Sequence, residues 1–247
     1  LQQLLKNKER SLVSVMHANN EIGNLNDIEL IGELCCSSNA IFHSDTVQTI
    51  GHYRHDLSKL KAHFVAASAH KFHGPKGIGF MFIRKDKKIQ SFIHGGPQER
   101  SMRGGTENVY GIIGLAKALE MAYRDLDKHK QYILGLKSRM IEKLKEKIPG
   151  VSFHGNSADL EKSLYTVLNV CLPESDQNSM LLFNLDLHGI SASGGSACSS
   201  GATAGSHVLG ALYPDSKKGA VRFSFSKYNT DAEIDIAVEK LAECLSV

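Results

Sequence analysis

Ser11-Leu12-Val13-Ser14-Val15-Met16-His17 begins the stretch that decides the fold. This run is apolar and β-rich, and Asn19-Asn20-Glu21-Ile22-Gly23 ends it with turn-forming residues. Asp27 then stands ahead of Ile28, Leu30, Ile31, Leu34 and Cys35, whose three- and four-residue steps mark one helical face behind a capping acid. Ala40-Ile41-Phe42-His43-Ser44-Asp45 makes another short strand. Strand, helix, strand in that order predicts a parallel βαβ unit, because parallel neighbours need a crossover between them. The expected class is α/β.

Further along, His63-Phe64-Val65-Ala66-Ala67-Ser68 and Gly77-Ile78-Gly79-Phe80-Met81-Phe82-Ile83 read as two more strands. Glycine and proline in the connecting Ala69-His70-Lys71-Phe72-His73-Gly74-Pro75-Lys76 predict a loop without regular structure. Asn108 to about Lys147 reads as a long, mostly helical stretch closed by Pro149-Gly150, and a domain boundary is expected within or after it. Beyond it, Tyr165 to Cys171 and Ala220 to Phe225 read as strands, and Met180 to Leu187 and Asp231 to Leu245 as helices. Thr230-Asp231-Ala232-Glu233 has the spacing of a capping box.

The chain of 247 residues, 42% apolar, is long enough to bury a substantial core. Its 29 basic and 26 acidic residues are interspersed, so neither nucleic acid nor an anionic membrane is implied as a partner. No apolar run approaches the roughly 20 residues of a membrane span, and no signal peptide precedes the first strand, so a soluble, cytoplasmic protein is expected. The five cysteines, Cys35, Cys36, Cys171, Cys198 and Cys244, lack paired metal-ligand spacing and suggest neither a disulfide framework nor a metal site. Cys35-Cys36, inside an apolar helical stretch, is expected to pack in the core.

Several residues could carry chemistry. Lys71 follows an apolar strand and sits beside Ser68 and His70, so it could be a desolvated amine ready to form a Schiff base, or equally an ordinary lysine in a tight turn. Asp45, with Gln48 after it, ends a strand where an open α/β sheet places cofactor contacts, although a turn or helix cap is the commoner use of such an acid. Gly194 to Gly205 is almost wholly small residues around Cys198, a composition that leaves the backbone free to move and could carry a thiol to a site. Arg222, among Val221, Phe223 and Phe225 on a strand, needs a partner for its guanidinium, whether a protein carboxylate or a substrate carboxylate. His52, His55, His94, His129, His154 and His207 lie in polar or loop contexts and are expected to be solvated.

Five motifs occur in order: Met16-His17-Ala18-Asn19-Asn20-Glu21-Ile22-Gly23, His43-Ser44-Asp45-Thr46-Val47-Gln48, Ser68-Ala69-His70-Lys71 with Gly74-Pro75-Lys76-Gly77, Arg103-Gly104-Gly105-Thr106-Glu107-Asn108, and Gly195-Ser196-Ala197-Cys198. Together they resemble the class V branch of fold-type I pyridoxal-phosphate enzymes, specifically the NifS-like cysteine desulfurases and selenocysteine lyases. The resemblance implies a mostly parallel large domain plus a smaller α+β C-terminal domain. Residues 1–125 would be the C-terminal portion of the cofactor-binding domain, and residues 126–247 the small domain with the cysteine loop. It implies pyridoxal 5'-phosphate as cofactor, with Lys71 binding it covalently, Asp45 at its pyridine nitrogen, Gln48 at its ring hydroxyl, and Ser68 and His70 at its phosphate. Asn20 matches a position that touches both cofactor and substrate, and Arg222 one that orients the substrate carboxylate. Thr106 matches a residue reaching the phosphate of a neighbouring subunit, which implies a homodimer.

The activity implied is removal of sulfur from L-cysteine, leaving alanine and a persulfide on Cys198 for a sulfur acceptor or an iron-sulfur scaffold protein. Selenocysteine lyase stays open as an alternative, as does a truncated, inactive chain that serves as a scaffold. Family members also carry an N-terminal segment with a phosphate-binding turn and a histidine that stacks on the cofactor. Neither occurs before Ser11, so the expectation is that this portion is absent.

Overall fold

The computed structural model describes residues 1–6, 10–195 and 206–245. The chain divides into two compact units, Leu1–His17 with Asn26–Leu126, and Ala18–Leu25 with Asp127–Val247.

The first unit is built on a four-stranded sheet of β1 (Leu12–Met16), β2 (Ile41–Asp45), β3 (Phe64–Ser68) and β4 (Gly79–Ile83), in that spatial order. β1, β2 and β3 run parallel, with Met16 opposite Asp45 and Asp45 opposite Ala66, whereas β4 returns antiparallel to β3. The helix Ile28–Ser37 makes the expected crossover, and Asp27 caps it by accepting the Leu30 amide at 2.9 Å. Its apolar stripe packs Ile28 and Cys35 with Val13, Phe42 and Val65 of the sheet. Of the cysteine pair only Cys35 is buried, while Cys36 is exposed, because adjacent helix positions point about 100° apart.

Residues 69–76 depart from the expected structureless loop. Ala69–Phe72 forms a single 3-10 turn, closed by His73 in the left-handed region at φ 65°. Glycine and proline begin only at position 74 and leave the four residues before them free to coil. Gly74 is needed there because a Cβ would lie 2.9 Å from the Ala69 Cβ. The long helical stretch is also interrupted, as the helices Val109–Arg124 and Leu126–Lys147 with a break at Asp125. Asn108 caps the first of them through the Gly111 amide at 3.0 Å.

The second unit has an antiparallel sheet of β5 (Ser152–Phe153), β6 (Val167–Leu172) and β7 (Gly219–Ser224), with β6 central and buried along its whole length. Leu136, Met140 and Leu144 of the long helix, Leu168 and Leu172 of β6, and Leu241 of the helix Asp231–Leu245 are all buried. The capping box is present: the Thr230 amide donates to Glu233 Oε2 at 2.8 Å and the Glu233 amide to Thr230 Oγ1 at 3.3 Å. Among the described residues no helix is long and apolar enough to cross a membrane.

Residues 18–25 enter this second unit as a tight turn. Ala18 bridges Leu25, Asn24 bridges Ser163, and the Leu164 amide donates to the Gly23 carbonyl at 2.7 Å. Gly23 supplies the positive φ of 70° that this reversal requires. The strap 157–164 that receives the turn is held from below by Lys137, fully buried, whose ammonium donates to Ser163 Oγ at 2.8 Å and to the Leu164 carbonyl at 3.1 Å. Burial pulls the Lys137 pKa from 10.5 down to about 8, against a smaller upward pull from Asp159. Between those values the unfolded chain holds a proton that the folded chain releases, so folding gains stability as pH rises from 8 to 10.5. Raising the pH from 7.5 to 10 is therefore expected to stabilise the native protein by about 2 kcal/mol more than a Lys137→Met variant. Denaturant melts of both proteins across that range check this, and parallel pH profiles would contradict it.

Candidate active site

Because β1, β2 and β3 point the same way, their C-terminal ends share one edge of the first sheet, the edge where open α/β sheets bind ligands. Asp45 is the last residue of β2 and Ser68 the last of β3, and the turn Ala69–Phe72 follows at once. A 3-10 turn eclipses every third residue. Ala69 and Phe72 therefore share the buried face, and His70 and Lys71 are left on the other side, exposed and half-buried respectively. Asp45 is exposed and accepts the Val47 amide at 2.9 Å through Oδ1. Thr46, the next residue, is tied to β3, its amide and hydroxyl both donating to the Ala66 carbonyl, at 3.0 and 2.8 Å. Gln48 is half-buried on the same turn.

Three histidines that sequence reasoning left without a role support this edge. His52 Nε2 lies 2.9 Å from the Lys71 carbonyl and, as a carbonyl only accepts, donates to it. No sequence spacing marks this bond, since 19 positions separate the residues. His17 Nδ1 and His55 Nε2 both lie on Thr49 Oγ1, at 2.9 and 3.1 Å, beneath the β2 exit. Burial, then the neighbouring His55, push the His17 pKa down to about 4, so that imidazole is neutral at pH 7. Neither His52 nor His55 is simply solvated.

Thr106 is exposed, on a stretch stapled by Arg103, which bonds Glu107 at 2.9 Å and the Gly105 carbonyl at 2.8 Å. A Cβ on Gly104 would lie 2.7 Å from the Gly95 amide nitrogen, so this fold-back tolerates no side chain there.

The second unit brings Asn20 and Arg222 together. Arg222, on β7 and 9% exposed, donates from Nη1 to the Asn20 carbonyl at 3.0 Å. Asn169 of β6 donates to the Glu21 carbonyl at 3.0 Å and offers its own oxygen to His154 Nδ1 at 2.8 Å. His154 is therefore buried and bonded, contrary to the expectation of a solvated ring, because β6 places Asn169 beside it. Cys198 lies outside the described residues.

The chemistry of the donor set fits pyridoxal phosphate. An acid at a strand end suits a pyridinium nitrogen, an amine on the neighbouring turn suits an aldehyde, and a hydroxyl and an imidazole beside it suit a phosphate.

A family model described as aminotransferase class-V matches residues 1–236. Curated relatives named cysteine desulfurase IscS include one from Clostridium botulinum, 41% identical over 239 residues, covering 96% of this chain and 60% of its own length. One from Dictyoglomus turgidum is 38% identical over 236 residues, covering 95% of this chain and 59% of its own. Among solved structures, a NifS-like protein superposes with a TM-score of 0.87 at 37% identity, over 100% of this chain and 65% of that one. A NifS-like protein from Rickettsia africae gives a TM-score of 0.85 at 30% identity, over 100% and 65%. The chain thus spans about 60% of the length of the curated relatives it matches.

Lys71 and Lys76 are both near the sheet edge, but only Lys71 lies on the turn anchored by Ala69 and Phe72. Mixing the full-length protein with pyridoxal phosphate, reducing with borohydride and mapping peptides is expected to find the adduct on Lys71. An adduct on Lys76 would overturn the assignment.

Proposed function

Because the chain belongs to the class-V aminotransferase family, we propose that it is part of a pyridoxal-phosphate-dependent cysteine desulfurase that takes sulfur from L-cysteine and leaves alanine. The observation that carries this reading is the convergence of Asp45, Ser68 and Lys71 at the ends of adjacent parallel strands. Identity near 40% to proteins named cysteine desulfurase supports it further.

In this reading Lys71 binds the cofactor, Asp45 faces its ring nitrogen, Gln48 its ring hydroxyl, and Ser68 and His70 its phosphate. When bound, pyridoxal phosphate supplies an electron sink for the bonds at the substrate's α-carbon. Arg222 offers its guanidinium to the substrate carboxylate, with Asn20 beside it. The Lys71 amine carries protons to and from the substrate carbons once the substrate has displaced it. The Cys198 thiolate attacks the substrate sulfur, so that a sulfur-sulfur bond forms as the carbon-sulfur bond breaks. The electron pair of that bond leaves with the substrate carbon and is protonated there, giving alanine. The persulfide on Cys198 passes to a sulfur acceptor or iron-sulfur scaffold protein. The enzyme acts in the cytoplasm as a homodimer in which Thr106 reaches the cofactor phosphate of the other subunit.

Cys198→Ser separates binding from transfer, since an alcohol stays protonated and is a far poorer nucleophile at neutral pH. In the full-length variant, cysteine is expected still to change the visible absorbance of the bound cofactor, while alanine and persulfide formation fall by about 1,000-fold or more. Desulfuration at the unmodified rate would make Cys198 a bystander and overturn the reading.

A further inference from the structure

We infer that Glu21 is a positioning residue that clamps together the two ends of the segment carrying Cys198; its bearing on catalysis rests on the desulfurase reading above. Glu21 is a carboxylate only 1% exposed, a placement that is costly unless the charge is used. Its Oε2 accepts a short hydrogen bond from the Ser206 hydroxyl, and among the described residues its Oε1 is buried without a hydrogen bond. His207 Nδ1 lies 4.0 Å from Oε1, on a largely exposed ring.

The neighbours of this carboxylate give it direction. Ser206 also caps the helix His207–Leu212, accepting the Leu209 amide at 3.0 Å, so the bond to Glu21 fixes where that helix starts. Gly195 packs against the same oxygen without a hydrogen bond to it: a Cβ there would lie 3.5 Å from Glu21 Oε2 and 3.2 Å from the Ser206 Cβ. Gly195 and Ser206, the last described residues before and after 196–205, thus meet against one carboxylate. Gly195 is itself tied back, its carbonyl accepting from Ser193 Oγ at 3.0 Å, and Ser193 pairs through its backbone with Arg222.

Glu21 is equally fixed from behind. Its amide and that of Ile22 both donate to Asn19 Oδ1, at 2.9 and 3.0 Å, and its carbonyl takes the buried Asn169 amide. The preceding residue, Asn20, is the one whose carbonyl Arg222 holds. One turn therefore connects the proposed substrate-carboxylate site to both ends of the cysteine segment. In the desulfurase reading, the carboxylate acts through the ends of the thiol's segment at Gly195 and Ser206.

Three full-length variants test this. Glu21→Ala removes the clamp, Glu21→Gln keeps an oxygen that can accept from Ser206, and Gly195→Ala leaves Glu21 in place but brings a methyl to 3.2 Å from the Ser206 Cβ, which must give by a few tenths of an ångström. Hydrogen exchange of the 206–212 peptide, measured without cofactor, is expected to quicken about tenfold or more in Glu21→Ala and Gly195→Ala, and to stay within a few-fold of wild type in Glu21→Gln. With pyridoxal phosphate and cysteine, alanine release is expected to fall on the order of 10- to 100-fold in the first two, while the visible-absorbance change on cysteine addition keeps its rate. Glu21→Gln should restore most of the loss. Unchanged exchange in Glu21→Ala would overturn the clamp, as would an absorbance change slowed as much as alanine release. If the wild-type protein releases no alanine, the desulfurase reading fails, and the exchange contrast alone decides whether Glu21 holds Ser206 and Gly195.

Discussion

The parallel run of β1, β2 and β3 is the constraint on which the first unit depends. Parallel neighbours need a crossover, so the chain spends Ile28–Ser37 on a helix, and the strands end on one side of the sheet. Their exits then deliver residues distant in sequence to one edge: Asp45 from β2, Ser68 from β3, and the turn bearing His70 and Lys71. The turn keeps its shape because Ala69 and Phe72 are buried and because His52 holds the Lys71 carbonyl. The backbone on both sides of Lys71 is thereby held in place.

The second unit solves a different problem, how to keep polar groups in a dry interior. Its central strand β6 is buried throughout, yet carries Asn169, and the cost is met by giving both ends of that amide a partner. Lys137 and Ser163 do the same for the strap 157–164. These bonds converge on the short turn 18–25, so a segment with little apolar surface of its own is held firmly. Asn20 and Glu21 inherit that rigidity. Arg222 gains a fixed carbonyl, and Ser206 a fixed carboxylate.

Buried titratable groups are the common currency of both units. His17 is held neutral beneath the β2 exit, and Lys137 is held with its pKa pulled down to about 8. In each case desolvation is the main cause and hydrogen bonds give the group a definite orientation.

Much of this was legible in the residues themselves. The spacing in Ile28, Leu30, Ile31, Leu34 and Cys35, the capping acid Asp27 and the box Thr230 to Glu233 are local signals, because backbone amides are satisfied by side chains three or four positions away. Strand order β1, helix, β2 forced the parallel pairing, and from it the strand-end positions of Asp45 and Ser68. The motifs themselves pointed to the family. What only the tertiary structure decided involves partners far apart along the chain. His52 on the Lys71 carbonyl, Arg222 on the Asn20 carbonyl and Ser206 on Glu21 are separated by 19, 202 and 185 positions. A hydrogen bond at that separation leaves no periodicity, so His154 and Glu21 look like surface residues in the sequence until β6 and the turn 18–25 bury them. The 3-10 turn at Ala69–Phe72 was missed for the same reason: what favours it is the burial of Ala69 and Phe72 against the helix Val109–Arg124 and the end of β3, which no local preference encodes.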